Sequence, residues 1–332
     1  MLILVIILFS CNQGKNKNSL QDDKDTTDRA KSINKKVVFI PYWVATAQFA
    51  GYYVANEKGI YEKYGLSLVI KPYLSSEASE NIIKKGGFDF AVLWLANAIE
   101  LKDQGADLIN ITQLSTRSSL MLLTKKSTGI NTIKAMDGKR AGIWKGYEML
   151  PQALFKKNKI KVNIIPIGST NNLFLNDAVE ITNANWFDEY HSIINSGINE
   201  DELNTFFFSE YGFNFLEDGL YCSSYLLNKK PKLCSDFVKE TLEGWNYAFN
   251  NIEEAIDIVV KYAERDKVPV NRIHQKWMLA RYKDLYMSNG SNHINTALNK
   301  KDYNNVAFIL FENNFIQKIQ PYNQFYKPLI NK

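Results

Sequence analysis

The stretch VVFIPYWVATAQFAGYYVANEKGIYEKYGLSLVIKP, residues 37–72, decides the fold. Val37–Ile40 is a β-branched apolar run closed by Pro41, Ala47–Tyr64 reads as a helix stopped by Gly65, and Leu66–Pro72 alternates as a second strand. Working outward, Ser75-Ser76-Glu77 opens another helix with an N-cap and an early acid, Gly86-Gly87 ends it, Phe88–Leu93 gives a third strand, and Asn97–Gln104 is helical. This βαβαβα order predicts a mostly parallel sheet with helices on its faces. Ligands of such sheets bind where the strands end at their carboxyl side. Here those places are Tyr42-Trp43 and Trp94.

A second unit of the same kind follows. Leu120–Thr124 is apolar, Asp137–Arg140 is a turn, Ala141–Trp144 is a short strand, and Tyr147–Lys157 is helical. Val162–Ile167 and Ala178–Thr182 add strands, Ala184–Ser196 a helix, and Phe206–Phe208 another strand. Beyond Leu220 the pattern is strongly helical, over Leu233–Phe249, Ile252–Asp266 and Val270–Tyr286, with a further helix and aromatic tail in Asp302–Tyr326. At 332 residues a single core has stopped growing, so two lobes are expected.

Composition narrows the function. Apolar residues make up 45% and charged residues 23%, which excludes collagen-like, wholly disordered and polytopic membrane classes. The net charge of +5 comes from scattered lysines and gives no footing for nucleic acid. Leu2–Phe9 is an apolar run far short of the ~20 residues a spanning helix needs. It reads as the core of an export signal, and the polar stretch from Asn12 to Lys36 reads as a tether too poor in apolar surface to fold. With Cys11 set apart, Cys222 and Cys234 remain as an even pair, either joined in an oxidising compartment or, as their separation across a strand and a helix start favours, two buried free thiols. The histidines at 191, 274 and 293 are far apart and no C-x-x-C occurs, so neither a metal nor a cofactor is expected.

Several strings carry a resemblance when taken in order. They are Ala47–Ala55, Glu57–Tyr61, Gly65–Leu68, Gly87–Phe90, Asp137–Trp144, Trp186–Tyr190 and Glu217–Leu220. Together they resemble the solute-binding proteins of ABC importers, in the branch shared by binders of thiamine pyrimidine precursors and the fungal pyrimidine synthases, over most of residues 37–260. Leu8-Phe9-Ser10-Cys11 resembles a bacterial lipobox, which implies export, lipidation at Cys11 and anchoring to a membrane of the bacterial cell envelope, periplasmic or extracytoplasmic. The resemblance implies an α/β, two-lobe clamshell of the second periplasmic-binding class, closing on its ligand about a hinge. Its parts would be leader and tether in 1–36, lobe one in 37–118, lobe two in 119–221 and the return segment in 222–332. The crossings would fall near Ser118-Ser119 and Tyr221-Cys222.

The same resemblance implies binding without chemistry. The synthases use a Lys and a His four residues apart after the third strand; these positions fall on Leu93 and Asn97, which can neither form a Schiff base nor shuttle a proton. No G-x-S-x-G, H-E-x-x-H, P-loop or G-x-G-x-x-G occurs. The expected product is a monomeric, non-enzymatic receptor that delivers a small planar heteroaromatic ligand to an importer permease. A sensor docking on a signalling partner, or a binder of a sulfonate, is the alternative. Trp43, Trp94, Trp144 and Trp186 are the candidate walls, able to sandwich a flat ring. Gln48 and Phe49 open the first helix, Gln48 where the pyrimidine binders often carry His. Glu189 is the candidate polar anchor, with Tyr190 and Asp218 as lesser ones, and Asp188 is expected to point elsewhere because it adjoins Glu189.

Overall fold

The computed structural model describes residues 35–73, 79–287 and 291–330. The expected leader, Cys11, nearly all of the tether, and the Ser75–Glu77 helix start lie outside the described residues. Ten strands are described: β1 Lys35–Ile40, β2 Leu66–Ile70, β3 Phe90–Leu93, β4 Ile109–Gln113, β5 Leu120–Lys125, β6 Arg140–Trp144, β7 Asn163–Ile167, β8 Ile181–Asn185, β9 Leu203–Phe207 and β10 Gly219–Cys222. They form two five-stranded sheets, ordered β2-β1-β3-β10-β4 and β7-β6-β8-β5-β9.

The two sheets repeat one plan. In the first, β1 pairs in parallel with β2 and β3; in the second, β6 does so with β7 and β8. Each sheet then takes one antiparallel strand, β10 between β3 and β4, and β5 between β8 and β9. The expectation of mostly parallel sheets is corrected to mixed ones, and the reason is topological. A chain that leaves one sheet at the carboxyl end of its parallel strands enters the other at the corresponding end, and so must run the opposite way. The first passage lies between Gln113 and Leu120, where Ser118-Ser119 was expected. The second lies between Phe207 and Gly219, ahead of Tyr221-Cys222, which sit inside β10.

Helices clothe the sheets: α1 Ala50–Glu57, α2 Ile60–Lys63, α3 Ser79–Lys84, α4 Leu95–Asp103, α5 Met149–Asn158, α6 Asn172–Leu175, α7 Glu189–Ile194, α8 Ser224–Lys229, α9 Pro231–Asn250, α10 Ile252–Arg265, α11 Arg272–Tyr286, α12 Lys300–Glu312 and α13 Tyr322–Phe325. The single helix expected over Ala47–Tyr64 is a 3₁₀ turn at Ala47–Phe49 followed by α1 and α2, broken where Gly59 takes a φ of 64°. Ala184 and Asn185, expected in a helix, end β8 instead. Cys222 and Cys234 are buried free thiols, and the Cys222 thiol is pushed up by its hydrogen bond with Cys234 and by burial. No helix among the described residues is long and apolar enough to cross a membrane.

The two passages lie side by side and are tied by a buried carboxyl. Glu217 Oε1 accepts from Ser118 Oγ at 2.9 Å, from the Ser119 amide at 2.9 Å and from Ser119 Oγ at 3.1 Å. The Glu217 carbonyl accepts from Gln113 Nε2 at 2.5 Å and from Ser115 Oγ. Asn214 Oδ1 accepts from the Ser118 amide at 2.8 Å. Buried backbone outside a sheet must find partners of this kind.

Packing of the first half depends on how closely α1 meets α9. Trp245 of α9 is fully buried against Tyr52, Phe249, Tyr282 and Tyr286. A methyl group on Gly244 would stand 2.2 Å from the Gly51 carbonyl oxygen and 2.7 Å from Ala55 Cβ, both on α1. The obstacle is backbone, so the helices must separate to admit it. Gly244→Ala is therefore expected to destabilise the fold by about 1–3 kcal/mol, read as a lower midpoint in urea unfolding; an unchanged midpoint would contradict this helix contact.

Candidate functional site

The ends of five parallel strands converge on one cleft with a volume of about 220 Å³. From the first sheet come Tyr42 and Trp43 after β1, Gln48 in the turn before α1, and Trp94 after β3. The second contributes Trp144, Lys145 and Tyr147 around the end of β6, Ile167–Ser169 at the end of β7, and Asn185 and Phe187–Glu189 after β8. This is the position that parallel strands prescribe for a ligand.

An aromatic chain runs across the cleft from one half to the other. Ring centroids lie 6.4 Å apart for Tyr42 and Trp94, 5.6 Å for Trp94 and Tyr147, and 6.0 Å for Tyr147 and Trp144. The phenol oxygens of Tyr42 and Tyr147 lie 3.2 Å apart, and Tyr42 donates to Glu80 Oε1 at 2.9 Å. Burial pushes the Tyr42 phenol well above its ordinary value and that of Tyr147 up to about 12, so both stay neutral at physiological pH. Trp43 stands at the rim, 38% exposed, with its ring 5.0 Å from that of Tyr73. Trp94 is buried and its indole N–H has no partner among the described residues.

The polar side of the cleft is acidic. Glu189 Oε2 accepts from the Asn185 amide at 3.0 Å. Protein surrounds the carboxyl except toward the cleft, and that burial, with Asp188 beside it, pushes its pKa up to about 8. Asp188 also lines the cleft, which corrects the expectation that two adjoining acids would not both face it. The turn ahead of α7 lets it do so, since an isolated helix face would not. Its Oδ1 lies 2.8 Å from His274 Nε2 of α11, and His274 Nδ1 lies 2.8 Å from His191 Nδ1. Lys145 at the exposed rim is the one cation among the described lining residues.

Five of the expected residues, Trp43, Gln48, Trp94, Trp144 and Glu189, share this wall. Four lie elsewhere. Phe49 is fully buried in the core, edge-on to Tyr53. Trp186 is turned to the opposite side, its ring under the guanidinium groups of Arg117 and Arg281 at 4.8 and 4.6 Å, while its carbonyl accepts from Trp277 Nε1 at 3.1 Å. Tyr190 is buried beside Trp277 and donates to Glu200 at 3.2 Å. Asp218 lies beneath the floor, where its Oδ1 accepts from Gln48 Nε2 at 3.0 Å. Tyr42, marked in the sequence only as the end of the first strand, also lines the cleft, and Tyr147, Asn185 and Phe187 were not among the expected site residues, although each sits at or just past a strand end. Among the described residues no group of three or more His, Cys, Asp or Glu is arranged to hold a metal.

Comparison with known proteins places this geometry. The family model described as NMT1/THI5 like matches residues 46–255. The riboflavin-binding protein RibY of Chloroflexus aurantiacus is 22% identical over 242 residues, covering 70% of this chain and 68% of that protein. The 4-amino-5-hydroxymethyl-2-methylpyrimidine phosphate synthase of Schizosaccharomyces pombe is 26% identical over 107 residues, 32% of this chain and 31% of the synthase. Among solved structures, the periplasmic aliphatic sulphonate binding protein SsuA of Escherichia coli superposes with a TM-score of 0.67 at 14% identity, covering 89% of this chain and 92% of that one. The fold is thus the two-lobe periplasmic-binding fold. The synthase-motif positions Leu93 and Asn97 fall within β3 and α4, outside the cleft lining.

Glu189 and Glu217, with pKa values raised to about 8 chiefly by burial, hold protons in the folded state that an unfolded carboxylate releases near pH 4. The folded state then binds more protons, so stability falls as pH rises through that interval. The lowered pKa of His191 acts in the opposite sense, but below its ordinary value near 6.5. Between about pH 6.5 and 8.5 the melting temperature of the ligand-free protein is expected to drop, and Glu189→Gln to flatten that slope. A melting temperature that climbs over this range would contradict the buried placement of these carboxyls.

Proposed function

The chain belongs to the NMT1/THI5-like family, and from that premise we propose that it is the solute-binding component of an ABC importer, capturing a small planar nitrogen heteroaromatic between its two halves. The observation that carries this reading is that Trp94, Tyr147 and Trp144, packed edge to face, line one cleft together with the carboxyl of Glu189. Aromatic faces add roughly 0.5–1.5 kcal/mol per stacked pair beyond area burial. A carboxyl held among them supplies the directional contact that a ring N–H or amino group needs. The two relatives named for riboflavin and for an aminopyrimidine phosphate both concern flat nitrogen heterocycles.

The alternative of a sulfonate fits less well. An anion would sit beside Asp188 and Glu189, with one exposed lysine to offset them. In this reading the protein is exported and held at the cell envelope through Cys11, acts as a monomer, and presents its closed form to a permease. It performs no chemistry on its guest, because Leu93 and Asn97 stand where the synthases use Lys and His.

A thermal-shift screen of the purified protein with aminopyrimidines, flavins, purines, sulfonates and nitrate tests this, since a ligand that binds the native state alone raises its stability. Heteroaromatic hits are expected, with Trp43→Ala and Glu189→Gln each weakening binding about tenfold, or ~1.4 kcal/mol. Hits confined to sulfonates or nitrate, or affinities unchanged in both variants, would remove the reading.

A further inference from the structure

Gln48 lines the cleft yet is only 5% exposed, because its amide is engaged from below. Its Nε2 donates to Asp218 Oδ1 at 3.0 Å. Asp218 is 1% exposed, and the phenols of Tyr52, Tyr282 and Tyr286 crowd round the same carboxyl. The backbone is fixed as well, since the amide of Ala47 donates to Gln275 Oε1 of α11 at 2.7 Å.

A carboxylate accepts and does not donate, so it admits one orientation of the amide facing it. The nitrogen must point down to Asp218, and the oxygen is left for the cleft. Gln48 Oε1 accepts no hydrogen bond from any described residue. Resting on the heteroaromatic reading above, we infer that Asp218 is a positioning residue that locks Gln48 as an acceptor, so that the cleft selects rings presenting an N–H or amino donor to its floor and rejects rings that present only acceptors there. Burial raises the Asp218 carboxyl to about 6, which still leaves it ionised near pH 7.5.

The cost of the wrong ligand sets the size of the effect. A ring with no donor leaves the buried Gln48 oxygen dry and unpaired, which corresponds to a loss of roughly 5- to 150-fold in affinity. Reversing the amide to suit it would set two acceptors, the carboxylate and the carbonyl, against each other. The lock works through the pair, so a change at either member relaxes it.

Isothermal titration at pH 7.5 with two matched pairs tests this: 4-aminopyrimidine against 4-methoxypyrimidine, and lumiflavin against its N3-methyl derivative. The donor-bearing member of at least one pair is expected to bind roughly tenfold or more tightly than its partner. Gln48→Met is expected to bring that ratio to within about twofold of one. Asp218→Asn, whose amide can face Gln48 either way, is expected to weaken the donor member while sparing or improving the acceptor-only member, a split that general loosening of the floor would not produce. Equal binding within both pairs, or a wild-type preference that survives Gln48→Met, overturns the inference and leaves the heteroaromatic reading standing. Failure of all four compounds to bind overturns both. Should Asp218→Asn fail to fold, Gln48→Met decides the matter alone.

Discussion

The chain must pass between its two sheets twice, and the two passages are held together by a buried hydrogen-bond cluster centred on Glu217. Glu217 lies on the return passage and gathers Ser118 and Ser119 of the outgoing one onto one carboxyl oxygen. Three donors on one acceptor in a dry setting make a strong joint, and a costly one to leave half made. The cleft walls are placed relative to this joint, because β5 and β10 each begin at it and each inserts between two other strands of its sheet. The next residue, Asp218, has a φ of 55°, in the left-handed region that L residues avoid. That local strain turns a second carboxyl out of the joint and up under Gln48, so hinge and cleft floor are adjacent in sequence as well as in space.

A second tie joins the halves on the side of α11. Trp186 between two guanidinium groups, Phe187 with its ring 4.7 Å from that of Tyr282, and Asp188 bonded to His274 all belong to the segment leading into α7. The same short segment supplies Phe187, Asp188 and Glu189 to the cleft. A ligand that engages these acids therefore acts on residues that also carry the contact between the halves. Closure needs only that such a ligand favour one arrangement over another by its differential affinity.

Much of this was legible in the sequence where side chains alternate cleanly. Val37–Ile40 and Leu66–Ile70 announce β1 and β2, and their ends locate Trp43, while Trp94 follows β3 in the same way. β4 was not legible, because Asn110, Thr112 and Gln113 are polar and yet buried by neighbours distant in sequence. β10 was legible only as a strand at Cys222 without bounds, because it is four residues long. The Trp186 expectation failed on a smaller scale. Strand β8 ends three residues later than its pattern suggested, at Asn185 instead of Thr182, so Trp186 follows directly on extended chain and is not carried on the expected helix face. Trp186 then packs on Arg117 and Arg281, and its neighbour Phe187 lines the cleft. Asp218 was picked out as a candidate by its motif, but its partner Gln48 lies 170 residues away, a distance no local pattern spans.

The likeness to a sulphonate-binding protein shows why fold alone cannot name a guest. The two chains share a fold, and strand ends turned toward a cleft, as in this chain, can serve any small solute. Selectivity comes from which polar groups are buried there and in which direction each is forced to point. In this chain the groups beneath and beside the aromatic wall are carboxyls, and each constrains something further. Asp218 fixes the sense of an amide, Glu189 is raised by burial into the range where a ligand's charge decides its proton, and Asp188 is shared with a histidine of the other half. On the proposed reading, a cleft so furnished would favour donors over acceptors and cations over anions.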